Sequence, residues 1–257
     1  KSLLYFGTHA GAGTYRLAEG FAAKNREWAG GIERLAALAR EDAPPAAVTA
    51  YLLAIGGAAA GGAAAGGASP GSPAIAARLL RPYDRLALFE LHPNDCAPLR
   101  SLFAEDRRVR VENADGLAGL RSLLPPPSRR ALVLVDPSYE LPEDYGRVVE
   151  AVGDALRRFA TGVYAVWYPI LERDDARRLP RQLCALAGKS LDIILRIRSS
   201  LPGERGMAGS GLVMLNPPWL LEETMAEALP YLVRALGEDA GARCSMQGTG
   251  HAHHATY

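Results

Sequence analysis

Five consecutive residues, Val135-Asp136-Pro137-Ser138-Tyr139, place a carboxylate, a rigid turn and an aromatic ring at the end of an apolar run. Such a set suits a weakly nucleophilic, conjugated amine. The Asp136 carboxylate and the Pro137 carbonyl can accept the two N–H bonds of that amine. Holding both moves the nitrogen toward tetrahedral geometry and turns its lone pair toward an electrophilic methyl group. Tyr139 can stack on a base taken out of its helix. Transfer would then be a direct displacement, driven by positioning and electrostatics, with no covalent enzyme intermediate. A plain proline turn after a buried strand is the simpler account, and the place of the motif after the fourth apolar run favours the chemistry. Asn216-Pro217-Pro218-Trp219 offers a similar pattern. It follows the seventh run, at the distal end of the expected sheet order, so it is read as structural or as a wall of the substrate cleft.

Other chemistry-bearing groups also stand at the ends of apolar runs. Leu3-Leu4-Tyr5-Phe6 leads into Gly7-Thr8-His9-Ala10-Gly11-Ala12-Gly13. Gly11 and Gly13 let the backbone approach a bulky ligand, and a helix after them would offer its N-terminus to negative charge. Arg16 fills the slot of the third glycine in a dinucleotide fingerprint, which disfavours a nicotinamide-dependent oxidoreductase. Glu90 can accept both ribose hydroxyl protons of an adenosine group. Asp115 can reach an adenine amine, with Gly116 allowing close approach. No Walker loop and no Gly-x-Ser-x-Gly elbow occurs. His251, His253 and His254 lack acidic or thiol companions, so no metal site is expected. His92 is read as a local hydrogen-bonding residue.

These groups need a scaffold that gathers scattered strand ends. Short apolar runs bounded by turn residues read as buried strands: Leu3–Phe6, Leu86–Glu90, Val109–Asp115, Ala131–Asp136, Gly162–Tyr168, Leu191–Ile197 and Gly211–Asn216. Helical patterns such as Leu141–Phe159 and Asp174–Leu186 lie between most of them. The expected fold is α/β, with a seven-stranded, mostly parallel sheet covered on both faces. The last two runs lack a helix between them and suit an antiparallel hairpin at the sheet edge. Gly13 and Glu90 stand far apart, where a simple βαβ unit needs about twenty residues. Residues 28–80 are therefore expected as a helical insertion in a single domain of 1–257. Trp28–Arg40 and Ala46–Ile55 form its helices, and a Gly/Ala-rich linker begins at Gly56.

The 257 residues carry a formal net charge of +1, so global charge does not announce a nucleic-acid binder. Arginine doublets at 107–108, 129–130, 157–158 and 177–178 are read mainly as genomic bias, with a phosphate role for a few. No apolar run reaches the roughly eighteen residues of a spanning helix, and no secretory signal is read at the start. Cys96, Cys184 and Cys244 form neither a disulfide framework nor a zinc signature, which suits a reducing cytoplasm.

Asp136-Pro137-Ser138-Tyr139 resembles the Asp/Asn-Pro-Pro-Tyr motif of enzymes that methylate amines with S-adenosylmethionine (SAM). More strings accompany it in order: Thr8-His9-Ala10-Gly11-Ala12-Gly13, Pro70-Gly71-Ser72-Pro73, Glu90-Leu91-His92-Pro93, Ala114-Asp115-Gly116, Phe159-Ala160-Thr161-Gly162, Trp167-Tyr168-Pro169 and Asn216-Pro217-Pro218-Trp219. Together they resemble the bacterial 23S ribosomal RNA adenine-N6 methyltransferase family RlmJ over nearly the whole chain. The resemblance implies a Rossmann-like class I SAM-dependent methyltransferase fold. It implies that His9, Ser72, Glu90, Asp115 and Gly116 line the SAM site and that Asp136 is the acceptor at the target amine. It further implies action on naked or partly assembled 23S ribosomal RNA, by a monomer, with adenine 2030 as the target. Two departures stand out: Gly7 replaces an aspartate of the family that helps hold the methionine part of SAM, and the sequence starts at Lys1, directly on the first strand, where the family has a basic, His-rich segment before it. A DNA adenine methyltransferase, and a non-catalytic RNA-binding or ribosome-assembly protein on the same fold, are the alternative expectations.

Overall fold

The computed structural model describes residues 1–16, 29–56, 68–200, 206–249 and 254–256. Five parallel strands form the heart of the sheet: β1 (Leu4–Gly7), β4 (Arg85–Phe89), β5 (Val109–Glu112), β6 (Ala131–Val135) and β7 (Val163–Pro169). Two short strands, β2 (Thr14–Arg16) and β3 (Ala68–Pro70), pair with each other apart from it. Next to β7 come β9 (Gly209–Leu215) and then β8 (Ser190–Arg196), each antiparallel to its neighbour. With β10 (Arg243–Thr249) and β11 (His254–Thr256), the order across the sheet is β11-β10-β8-β9-β7-β6-β1-β4-β5.

The mostly parallel α/β sheet matches the expectation, and its strand count exceeds it. The strand β10 (Arg243–Thr249) adds an eighth strand against β8, and β11 (His254–Thr256) pairs outside it. The expected hairpin exists, but it does not form the edge: β9 inserts beside β7, and β10 covers β8. Sequence patterning reports which residues are buried, while the lateral order of strands depends on long-range pairing.

The helices cover both faces because the strands bury side chains alternately. Phe6, Val133, Val135 and Val166 pack with Leu120 of α5 (Gly116–Leu123), Val148 and Val152 of α6 (Pro142–Arg158), and Leu179 and Leu183 of α7 (Asp174–Cys184). On the opposite face Tyr5, Leu86 and Leu88 meet Ala76 of α3 (Ser72–Leu79) and Leu99 of α4 (Pro93–Leu102). Pro93 and Pro142 open their helices, where the missing N–H costs nothing and the fixed φ favours the first turn.

Part of the stretch expected as an insertion leaves the sheet. A π-helical turn at Ala29–Glu33 leads into α1 (Arg34–Glu41), followed by α2 (Ala46–Ala54). Leu35, Val48, Leu52 and Ile55 pack on Ala228, Tyr231 and Ala235 of α8 (Leu221–Leu236). The helix α3 instead packs on the sheet as the crossover from β1 to β4, so the departure lies between β2 and β3. The Gly/Ala-rich tract after Gly56 lies outside the described residues, as do Trp28, His251 and His253. Among the described residues no helix is long and apolar enough to cross a membrane.

Candidate active site

The carboxyl ends of the parallel strands share one edge of the sheet, and β1, β4, β5 and β6 deliver His9, Glu90, Asp115 and Asp136 to it. Glu90 is buried and acts as a latch. Its Oε2 accepts the Gly11 N–H at 2.8 Å and its Oε1 accepts the His92 N–H at 2.8 Å. A carboxylate offers about four lone-pair sites, so each oxygen keeps one for a ribose hydroxyl.

Gly11 sits at φ 61° and Gly13 at φ 77°, a region open to glycine at little cost. The loop does not lead directly into a helix, because Thr14–Arg16 forms β2 and Gly71 N–H returns to the Gly13 carbonyl at 2.9 Å. Helix-dipole help at this loop is therefore set aside for the described residues. A Cβ at Gly11 would overlap the Tyr15 hydroxyl, and one at Gly13 would come within 2.8 Å of Leu99 and Leu102. The glycines thus admit neighbouring side chains.

Tyr15 escaped the sequence reading. Its ring roofs the gap between Gly11 and Gly71. Burial raises its hydroxyl pKa, and the charges of Asp95, Asp136 and Glu90 raise it further. Its position directly after the glycine loop was the available signal. Tyr5 was missed as well. Its hydroxyl is bonded to Ser72, and burial pushes its pKa up to about 12 despite that bond. Ser72 thus reaches the site region through Tyr5, which also feels the Asp136 charge.

His9 Nδ1 lies 2.7 Å from the Thr8 hydroxyl, whose oxygen is 3.2 Å from the Leu134 carbonyl. The hydroxyl thus fixes the orientation of the His9 ring and leaves Nε2 outside this contact. Burial lowers the His9 pKa, outweighing the opposite pull of Glu90, Asp115 and Asp144, so the ring is neutral at pH 7.

Asp115 caps α5, accepting from Leu117 N–H at 2.9 Å and, more weakly, Ala118 N–H at 3.4 Å. Its Oδ2 accepts from Arg147 at 2.8 Å. Gly116 allows close approach, but to protein. A Cβ there would overlap the Thr8 carbonyl oxygen and lie 2.5 Å from Thr8 Cα. Gly116→Ala should push α5 off the β1 loop, costing about 1–3 kcal/mol. A melting temperature lower by roughly 3–10 °C is expected, and an unchanged one would show that α5 does not bear on that loop.

Asp136 differs from the other carboxylates. It is largely buried, and among the described residues no donor bonds its side chain. Burial alone pushes its pKa from 3.8 to about 6. Pro137 behind it is buried. Tyr139 corrects an expectation. Its ring is 2% exposed, packed 4.7 Å from Tyr145 and 6.3 Å from Trp167 between centroids, and its hydroxyl donates to the Trp167 carbonyl at 2.8 Å. It has no free face for a base. It ties the turn, with its own φ at 53°, to β7.

Asn216 lies at the other edge of the sheet. The strand β9 runs against β7, so Leu215 pairs with Tyr164 at the start of β7. Asn216 Nδ2 donates to the Ala160 and Gly162 carbonyls, both at 2.8 Å, and its N–H donates to Lys189 O at 3.0 Å. It is a structural clamp. The cleft-wall alternative fails on direction, not on distance along the sheet order.

Three comparisons bear on this edge. A family model described as "Ribosomal RNA large subunit methyltransferase D, RlmJ" matches residues 1–247. "Ribosomal RNA large subunit methyltransferase J" of Escherichia coli K12 is 42% identical over 255 residues, covering 98% of this chain and 85% of the relative. The protein of the same description from Haemophilus influenzae is 42% identical over 242 residues, covering 92% and 83%. A crystal structure of a Legionella pneumophila protein superposes with a TM-score of 0.83 at 33% identity, covering 96% of this chain and 88% of that one.

Proposed function

Because the chain belongs to the ribosomal RNA large subunit methyltransferase D, RlmJ, family, we propose that it methylates N6 of an adenine in 23S ribosomal RNA, using SAM. Adenine 2030 is the nucleotide that the family resemblance suggests, and the reading extends to a monomer working in the cytoplasm. The observation that carries the proposal is Asp136: a largely buried carboxylate that no donor bonds among the described residues, on the sheet edge where Glu90 keeps two lone pairs.

The residues fit SAM. Glu90 suits the ribose hydroxyls, Asp115 and the neutral His9 ring suit adenine and amine groups, and the Gly11–Gly13 loop supplies backbone beside them. At Gly7, where the family has an aspartate, a Cβ would meet Leu88 at 3.4 Å and Tyr5 at 3.5 Å, ordinary contact distances. Bound SAM supplies a methyl group on a positive sulfur that leaves as a neutral thioether. The protein's part is positioning. Asp136 and the Pro137 carbonyl accept the two amine N–H bonds, and Tyr139 holds the turn against β7.

The acceptor role requires ionised Asp136. A carboxyl group with a raised pKa takes up its proton as pH falls through about 6. The single-turnover rate should therefore drop below pH 6 and level off above it. A rate flat from pH 5 to 8 would remove Asp136 from that role. The substrate class is tested with labelled SAM and unmodified 23S transcripts beside duplex DNA. Label in the RNA is expected, and label only in the DNA would overturn the reading.

A further inference from the structure

The same sheet edge continues past Asp136 into a cationic pocket that the chemistry above does not use. The strand β8 is antiparallel to β9 and β9 to β7, so β8 runs with β7 and ends on the ligand edge. Its last residue, Arg196, faces Arg243, its register partner at the start of β10. Arg177, from the second turn of α7, lines the same pocket together with Tyr168, Pro169 and Ile194. The Tyr168 ring lies over Gly211, where a Cβ would collide with it, and its hydroxyl donates to Asp192 at 2.7 Å.

Like charges placed directly opposite on neighbouring strands are destabilising. Here one of them is half-buried. Burial lowers the Arg196 pKa, and so do the charges of Arg243 and Arg177, against the pull of Glu172. Among the described residues, Glu172 pairs with Arg177 and Asp192 accepts from Tyr168. Arg196 itself donates to the Ser200 hydroxyl at 2.9 Å, a neutral partner. A fold that holds guanidinium groups together in this way is suited to an anion.

We propose that Arg196 and Arg243, its partner across the strands, form a subsite for a phosphodiester of the RNA strand flanking the target adenine. The inference rests on the RNA-methylation reading. Three strand spacings, from β6 to β8, separate the subsite from Asp136, roughly 14 Å at about 4.8 Å each. A short run of single-stranded nucleotides bridges that span. Guanidinium groups suit the anion because their planar fork matches phosphate oxygens.

The test uses the full chain, Arg196→Gln, Arg243→Gln and the double variant, with a 23S ribosomal RNA fragment as the probe. RNA affinity is measured against salt, with KM and kcat for methyl transfer and the melting temperature. Each single variant should weaken RNA binding roughly fivefold near 0.1 M salt and lower the salt slope by about 1. KM for RNA should rise with little change in kcat. SAM affinity and melting temperature should hold, or the latter rise as repulsion is relieved. Unchanged RNA affinity and salt slope in the double variant, with the wild type still methylating RNA, would overturn the subsite alone. Failure of the wild type to methylate RNA would overturn the reading beneath it. A lower melting temperature with an unchanged salt slope would make the arginines structural and also overturn the subsite.

Discussion

Asp136→Ala should abolish methyl transfer, by at least about a hundredfold, while the protein stays folded. Removing the side chain takes away the proposed acceptor of the amine N–H bonds. It also removes a charge that the fold disfavours. The pKa rises from 3.8 to about 6, so the ionised group costs the native state at most about 3 kcal/mol. That cost is full above pH 6, shrinks as pH falls and is absent below the unfolded value of 3.8. The melting temperature at pH 7 should therefore hold or rise. Asn216→Ala should do the reverse. It loses bonds to the Ala160 and Gly162 carbonyls at a residue with φ 54°, so about 1–3 kcal/mol of stability should go. Activity of the folded fraction should persist. Parallel melts and single-turnover assays separate the two residues, and the opposite ranking would move the chemistry to the wrong edge of the sheet.

Glu90→Ala carries the second large effect. It deletes the acceptor of the Gly11 and His92 N–H groups and the proposed ribose acceptor in one change. Hydrogen bonds to a charged group contribute about 1.5–3 kcal/mol each. The dissociation constant for SAM should rise by about a hundredfold or more, read by calorimetry. Glu90→Gln keeps an acceptor oxygen for one of the loops, so it should fall between the two. Equal affinity in the wild type and Glu90→Ala would place the adenosine group elsewhere.

The parallel core was legible because β1, β4 and β6 are short apolar runs between turn residues. So were α6 and α7, whose helical spacing is strong. The strand β10 was not. Its sequence, Arg-Cys-Ser-Met-Gln-Gly-Thr, buries only Cys244 and Met246, too brief an alternation to stand out. The place of β9 was hidden for another reason: nothing local in Gly211–Leu215 says that it inserts beside β7. Among the proposed site residues, Glu90, Asp115 and Asp136 stood out as candidates because a carboxylate at a strand end is a local signal. The burial of Tyr139 and the roofing by Tyr15 depend on contacts with Trp167 and Gly71, distant in sequence. The clash that fixes Gly116 is with Thr8, more than a hundred positions away.

The most direct measurement is nucleoside mass spectrometry of 23S ribosomal RNA, unmodified at the outset, after reaction with SAM and either wild-type protein or Asp136→Ala. The account predicts N6-methyladenosine with the wild type and none with the variant. Methylation at another base, or equal N6-methyladenosine from both proteins, would contradict it.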